Sequence, residues 1–367
     1  MSFESITAGR SRSFALLSDG TAWVWGNVKR HEVAPLPEEL SQICGSGPTE
    51  IGHGRYAQSV PQRVHPSACF VALADAGDEF LAIDQAHRLA RFIPDVSVER
   101  GAPGVTFKNF STPVRLIAGN ERGRFALDKA GKVWSWGMNV QGLLGRQATQ
   151  LFETHPVALD AVRDVVQVIA GEVHVLALDR RGGVWAWGAN AAGQLGLGHL
   201  EAVTRPTRLS FDAPIKMLAA GDTHSLAMDD RGRVYAWGSN HHGQLGPIEA
   251  SVTPVKWSSK PLRVKLDFKP KQIDAGTHFT VALSQSGDVF AWGWNGLAQL
   301  ADAAVNSSHK PLRVNGLSGV RLISAGASHV MAVREQALWA WGDNRNSTCG
   351  LAPSQQRVTS PHEIAFA

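Results

Sequence analysis

One segment keeps returning along this chain of 367 residues. Residues 170–196 read AGEVHVLALDRRGGVWAWGANAAGQLG, and residues 220–246 read AGDTHSLAMDDRGRVYAWGSNHHGQLG. The theme recurs at 8–26, 118–137, 275–293 and 325–342, and in worn form at 76–92, where Arg91 and Phe92 replace the usual Trp-Gly. The seven opening glycines are Gly9, Gly77, Gly119, Gly171, Gly221, Gly276 and Gly326. Self-similarity at such a period is the signature of repeat architectures, in which each unit is one supersecondary element that must pack on its neighbours. The repeat cores fall at about 8–26, 76–92, 118–145, 170–196, 220–246, 275–301 and 325–351, and residues 28–60 are an insertion. We expect one domain over residues 1–367.

Each unit is written in short strands. The His-x-Leu-Ala-Leu segment alternates and ends in turn residues such as Asp229-Asp230-Arg231-Gly232; the Val-Trp-Ala-Trp-Gly segment follows, giving a β-hairpin. Alternation puts Trp185 and Trp187 on one face and Val184 and Ala186 on the other. Ten of the twelve tryptophans lie in or beside this strand, so they are expected to fill the space between sheets and not to form a cofactor box. Glycine after the second Trp permits a positive φ or a close approach.

A further strand precedes each opening Ala-Gly. It begins at a proline, and Pro156, Pro206, Pro261 and Pro311 each lie 15 positions before their glycine. The last such proline, Pro361, has no glycine after it. Counted through Ala367 and on from Met1, Gly9 falls at the same distance of 15. The register closes across the termini, so the expected fold is all-β: a seven-bladed β-propeller whose ring is closed by the C-terminal strand joining the N-terminal blade, which removes the last open sheet edge.

These units resemble the regulator of chromosome condensation repeat family, whose motif is an Ala-Gly-x-x-His opening, a Leu-Ala-Leu strand, a Trp-Gly and then Asn-x-x-Gly-Gln-Leu-Gly. Asn190…Gly193-Gln-Leu-Gly196 and Asn240…Gly243-Gln-Leu-Gly246 match in full. The resemblance covers nearly the whole chain outside residues 28–60 and implies the same seven-bladed propeller. Units 1 and 2 lack the last loop, unit 6 has Ala298-Gln-Leu-Ala301, and unit 7 has Ser347-Thr-Cys-Gly350. At the His position stand His174, His224 and His329, but Phe279 (with His278 one place early) and Arg12 in units 6 and 1. A metal ring would want equivalent, convergent histidines. Each His is instead expected to hydrogen-bond backbone within its own blade.

Composition narrows the function. With 19% charged and 44% hydrophobic residues, the chain can form a core. A net charge of +4 is too mild to define a nucleic-acid protein. No run of 18 apolar residues exists, and the start, MSFESITAGR, lacks a basic region followed by an apolar one. Neither membrane insertion nor a secretory leader is expected; the expected location is cytoplasmic, with signal-independent export and incorporation into a virion left open. Cys44, Cys69 and Cys349 cannot all pair, so no disulfide framework is expected. There is no Gly-x-Ser-x-Gly elbow and no phosphate-binding Gly-x-x-x-x-Gly-Lys-Ser/Thr loop, so no catalytic residue, metal or cofactor is assigned.

The family that the motifs resemble includes a nucleotide exchange factor for a small nuclear GTPase, a plant ultraviolet photoreceptor, a secreted β-lactamase inhibitor and bacterial effectors. The photoreceptor chemistry needs Gly-Trp-Arg-His-Thr openings, and this chain has none. Three functions stay open: a non-enzymatic propeller that binds a protein partner through its face loops, a guanine nucleotide exchange factor for a small GTPase, and a structural or attachment component of a virion or surface assembly. Residues that break the repeat are the candidates for contact. Trp294 occupies the slot between Trp-Gly and Asn that holds Ala189, Ser239 and Asp343 elsewhere, and Trp257 lies in an atypical segment between units. Tyr56 lies in the insertion, His241 and His242 in a turn, and Arg10 and Arg12 form a small basic spot. The insertion holds a short helical turn at Pro35–Leu40 and a Gly-rich stretch from Gly45 to Gly54, on a loop long enough to act. A basic stretch runs Lys256, Lys260, Arg263, Lys265, Lys269 and Lys271, with Arg263 and Lys265 on one strand face.

Overall fold

A computed structural model describes residues 2–29, 49–52, 55–64, 69–77, 79–92, 105–106, 110, 112–147, 150–249, 251, 253 and 255–366. The segments expected to hold the helical turn at 35–40 and most of the Gly-rich stretch lie outside these residues. The described strands form seven antiparallel sheets, six of four strands and one of five. Blade 4 shows the plan: Val165–Ala170, His174–Asp179, Val184–Gly188 and Val203–Leu209 pair in sequence order. The first strands, from Phe3–Ala8 in blade 1 to Val320–Ala325 in blade 7, adjoin one another around a central channel.

Two sequence expectations need revision. The segment between each proline and the next opening glycine holds two strands, not one. Pro206 belongs to Val203–Leu209, the fourth strand of blade 4, and Ile215–Ala220 then begins blade 5. The 15-residue interval thus spans an outer strand, a crossing to the next blade and an inner strand. For the same reason the C-terminal strand is not lent to blade 1. Arg357–Ile364 pairs with Ala337–Asp343 inside blade 7, and blade 1 starts its own sheet with Phe3–Ala8.

The ring closes by packing. Phe366 lies five positions after Pro361, as Phe211 does after Pro206, and it seats against the next blade as Phe211 does. Phe211 meets Tyr235 and Trp237 of blade 5; Phe366 meets Phe3, Trp23 and Trp25 of blade 1, with ring centroids 5.5, 5.5 and 6.1 Å away. The tail therefore reaches the N-terminal blade through an aromatic side chain, and blades 7 and 1 share one core cluster.

Alternation within the Trp-Gly strand sets which blade each side chain faces. Trp185 and Trp187 pack in the cluster shared with blade 3, whereas Val184 and Ala186 pack in the cluster shared with blade 5. Trp25, Trp136, Trp187, Trp237, Trp292 and Trp341 are each at most 1% exposed. The glycine after each has φ between 96° and 107°, and a Cβ on Gly188 would stand 2.5 Å from the Val173 carbonyl oxygen. Part of the insertion becomes sheet: Thr49–Gly52 pairs with Arg55–Arg63 and adds the fifth strand to blade 1. Cys69 and Cys349 are free thiols, and Cys44 lies outside the described residues.

Candidate functional site: the face of the opening loops

The histidines join one blade to the next. Nε2 of His174 lies 2.9 Å from Ser225 Oγ in blade 5, and that hydroxyl donates to the Gln194 carbonyl of blade 4 at 2.8 Å. Since the hydroxyl proton is spent on the carbonyl, the histidine must donate from Nε2, leaving Nδ1 unprotonated. Trp237 Nε1 of blade 5 donates to the same carbonyl at 2.8 Å. The set repeats with His224, Thr280, Gln244 and Trp292, and across the ring closure with His329, Ser13, Thr348 and Trp25. The expected within-blade backbone bond is thus replaced by a link between blades. The opening glycine makes room for it: a Cβ on Gly171 would fall 2.4 Å from the His174 ring. Burial holds His174 and His329 down to about 4 and His224 to about 3, so all three are neutral donors.

Where the histidine is lost, its partner is lost with it. Phe279 faces a blade with Val330 in the hydroxyl slot, and Gly123 faces one with Val175. Between blades 2 and 3 the pair becomes ionic: Glu79 holds the His slot and Arg124 the hydroxyl slot, 2.6 Å apart and both buried. The Asn-x-x-Gly-Gln-Leu-Gly loop is spent in the same way. Asn190 Oδ1 accepts from Leu195 N, Gln194 Oε1 accepts from Ala192 N, and the Gln194 carbonyl receives the next blade. The repeated residues therefore build the ring.

Each first strand ends at an opening loop, so these loops gather at one mouth of the channel, a cavity of about 350 Å³. The residues just after the opening glycines form its rim. Arg10 of blade 1 reaches across it, with Nε 3.2 Å from Glu121 of blade 3 and Nη1 2.5 Å from Glu172 of blade 4. Arg122 also meets Glu172, at 3.2 Å. Burial raises Asp222 to about 6, against the pull of Arg10 and with help from Glu172. Neighbouring loops are tied by backbone bonds: Asp222 N to Thr277 O, Thr277 N to Ala327 O, and Ala327 N to Gly9 O.

This rim corrects the expected basic spot. Arg12 is 4% exposed, donates to the Gly77 carbonyl and lies 3.5 Å from Asp75. Arg10 is surrounded by carboxylates. The acidic rim was missed from sequence, although one signal was available: acids stand in or beside the slot after the opening glycine in three consecutive units, at Glu121, Glu172 and Asp222.

Outward from Asp222, on the same face, lies an imidazole–indole cluster. His242, in the blade 5 loop, is 5.3 Å from His278 and 6.2 Å from Trp294 between ring centroids; His278 and Trp294 are 6.4 Å apart. Trp294 and His242 are half-buried and His241 is exposed beside them. Burial and the neighbouring His242 hold the His278 imidazole below its ordinary range. Trp257 opens the fourth strand of blade 5 next to the same loop and is 49% exposed. Five of the candidate residues (Arg10, His241, His242, Trp257 and Trp294) therefore share one face. Tyr56 pairs with Val28 on one side and Glu50 on the other, within the sheet of blade 1, with its side chain outside the description. Among the described residues no three His, Cys, Asp or Glu side chains are arranged to hold a metal, and no helix is long and apolar enough to cross a membrane.

Fold and loops together define a propeller of the chromosome-condensation-repeat class. The model of the RCC1-like domain matches residues 82–367, and the chain belongs to that family. It is 31% identical to the ultraviolet-B receptor UVR8 of Arabidopsis thaliana over 368 aligned residues, which cover 96% of this chain and 79% of the receptor. It is 34% identical to the probable E3 ubiquitin-protein ligase HERC6 of Homo sapiens over 249 residues, 65% of this chain but only 24% of the ligase. Among solved structures, human WBSCR16 superposes with a TM-score of 0.77 at 22% identity, covering 94% of each chain. Prp20p of Saccharomyces cerevisiae does so with 0.72 at 21% identity, covering 88% of this chain and 80% of its own.

Proposed function

We propose that this protein is a non-enzymatic scaffold that docks a protein partner on the face carrying the opening loops. The observation behind this reading is the division of labour among residues. The repeated His and Trp side chains and the main-chain carbonyl of the Gln are buried in links between blades, whereas Trp294, His242, His241 and Trp257 break the repeat and share one face with an acidic channel rim. A rigid ring loses little entropy when its loops are engaged, and a half-buried indole beside imidazoles is the kind of aromatic anchor that concentrates binding energy. A cytoplasmic site of action accompanies this reading.

The test is affinity capture from the native cell with the intact chain and with Trp294→Ala/His242→Ala. The partner should be retained by the wild type and by an outer-strand control, Val157→Ser, and lost from the double variant at unchanged thermal stability. Equal capture by all three would overturn the assignment. The Prp20p structure is described together with that protein's binding to Gsp1p and histones. For this chain, exchange on a small GTPase is the alternative to simple docking, and a nucleotide-release assay separates them: acceleration of release by micromolar propeller would make it an exchange factor.

A further inference from the structure

The opposite mouth of the channel carries the reverse charge. Since all first strands end at the acidic rim, their second residues lie together at the other end. These residues are Glu4, Val71, Arg115, Val166, Lys216, Lys271 and Arg321: four cations and one anion. Arg115, Lys216 and Lys271 are exposed. Among the described residues none of the four cations has a carboxylate within ion-pair distance. Three lean onto the backbone of the following blade instead: Arg115 on the Val166 carbonyl at 2.9 Å, Lys271 on the Arg321 carbonyl at 3.5 Å, and Arg321 on the Phe3 carbonyl. The cations are thereby held around the mouth without being neutralised. Lys265 and Lys269 lie beside them, on the crossing from blade 5 to blade 6. The basic stretch seen in sequence is therefore divided. Lys256 stands beside Trp257 at the opening-loop face, Lys260 is on the outer wall and Arg263 is paired with Glu249, whereas Lys265, Lys269 and Lys271 belong to this mouth.

We infer that this second mouth is a docking site for a short acidic polypeptide segment, a run of Asp and Glu presented by a partner. Charge complementarity carries the inference, and the distribution of acids decides between polyanions. Asp164, Asp212, Asp230 and Asp267 stand on the turns and crossings around the ring. Lys129, Arg163, Arg180, Arg181 and Arg231 alternate with those aspartates, so the turns carry mixed charge and a nucleic-acid backbone laid across this face gains little there, whereas a short segment directed at the channel axis meets the excess of four inner cations over Glu4. The site is separate from the Trp294 face, so each can fail without the other.

The experiment is fluorescence polarisation with a labelled Asp/Glu-rich peptide of about a dozen residues and the full chain. Binding should weaken on the order of tenfold between about 50 and about 300 mM salt. It should be lost in Lys216→Glu/Lys271→Glu, weakened in the milder Lys216→Gln/Lys271→Gln, and kept in a charge-matched outer-wall control, Lys310→Glu/Arg357→Glu. Three results would overturn the inference: no binding at low salt, equal loss in the control, or tighter binding of a duplex DNA of equal charge through the same lysines. Partner capture through Trp294 should survive the lysine substitutions, which separates failure here from failure of the docking reading above.

Discussion

A buried histidine that must stay neutral ties ring stability to pH. His174 and His329 titrate near 4 and His224 near 3 in the folded chain, against 6.5 when exposed. Below pH 6.5 the unfolded chain takes up protons that the folded chain refuses. The contribution of these groups is therefore complete above 6.5 and is lost as pH falls toward 4, by up to about 1.4 kcal/mol per pH unit for each histidine. Asp222 and Asp274, raised by burial from 3.8 to about 6, act in the opposite sense between 6 and 3.8 and offset part of that loss. Replacing His224 with Gln keeps a donor and removes one titration. The fall in urea midpoint between pH 7.5 and 5.5 should be smaller in His224→Gln than in the wild type; an equal fall would show that this histidine is not the sensor. The Trp-Gly strand was legible in sequence because a large side chain must fill every gap between blades. The partner of each histidine was not, because it stands in the next unit, one place after that unit's own histidine slot, where only Ser13, Ser225 and Thr280 bring hydroxyls.

At the scale of the blade, the repeat tolerates exchange of one inter-blade link for another. The Glu79–Arg124 pair occupies the His and hydroxyl slots, and removing one partner leaves a buried charge, which costs about 3–5 kcal/mol. Glu79→Ala should therefore lower the melting temperature far more than Glu79→His/Arg124→Ser, which removes both charges and installs the histidine–hydroxyl pair of His174 and Ser225. Equal destabilisation would mean that the slots are not equivalent. In blade 6, Ala298 and Ala301 stand where blades 3, 4 and 5 have glycine, with φ of 67° and 54°. Left-handed backbone at alanine costs about 1 kcal/mol, so Ala298→Gly and Ala301→Gly should each raise the melting temperature. An unchanged or lowered value would show that the alanine methyls contribute packing that outweighs the strain. The hairpins were legible from alternation and turn residues. The outer and inner strands were merged because Pro206–Leu209 and Ile215–Ala220 are joined by a crossing too short to show as a break.

Over the whole molecule, the count of seven and the continuity of register across the termini were both present in the sequence, but the means of closure was not. An interval of 15 residues predicts position, and the same position is satisfied by a shared strand or by Phe366 packed on Trp23 and Trp25. Phe366→Ala should lower global stability by about 2 kcal/mol or more, measured by denaturant unfolding. A value near zero would mean that the His329–Ser13 and Trp25–Thr348 links close the ring alone. Trp294 and His242 could be picked out because they depart from the repeat, whereas the acidic rim is assembled only when blades 1, 3, 4 and 5 meet at the channel.

The most direct test of the division between ring-building and partner-binding residues is site-specific photo-crosslinking in the native cell, from positions 294 and 242 on the loop face and from position 157 on the outer wall. The account predicts one partner crosslinked from 294 and 242 and none from 157; crosslinking from 157 alone, or from none of the three while a partner is still captured, would contradict it.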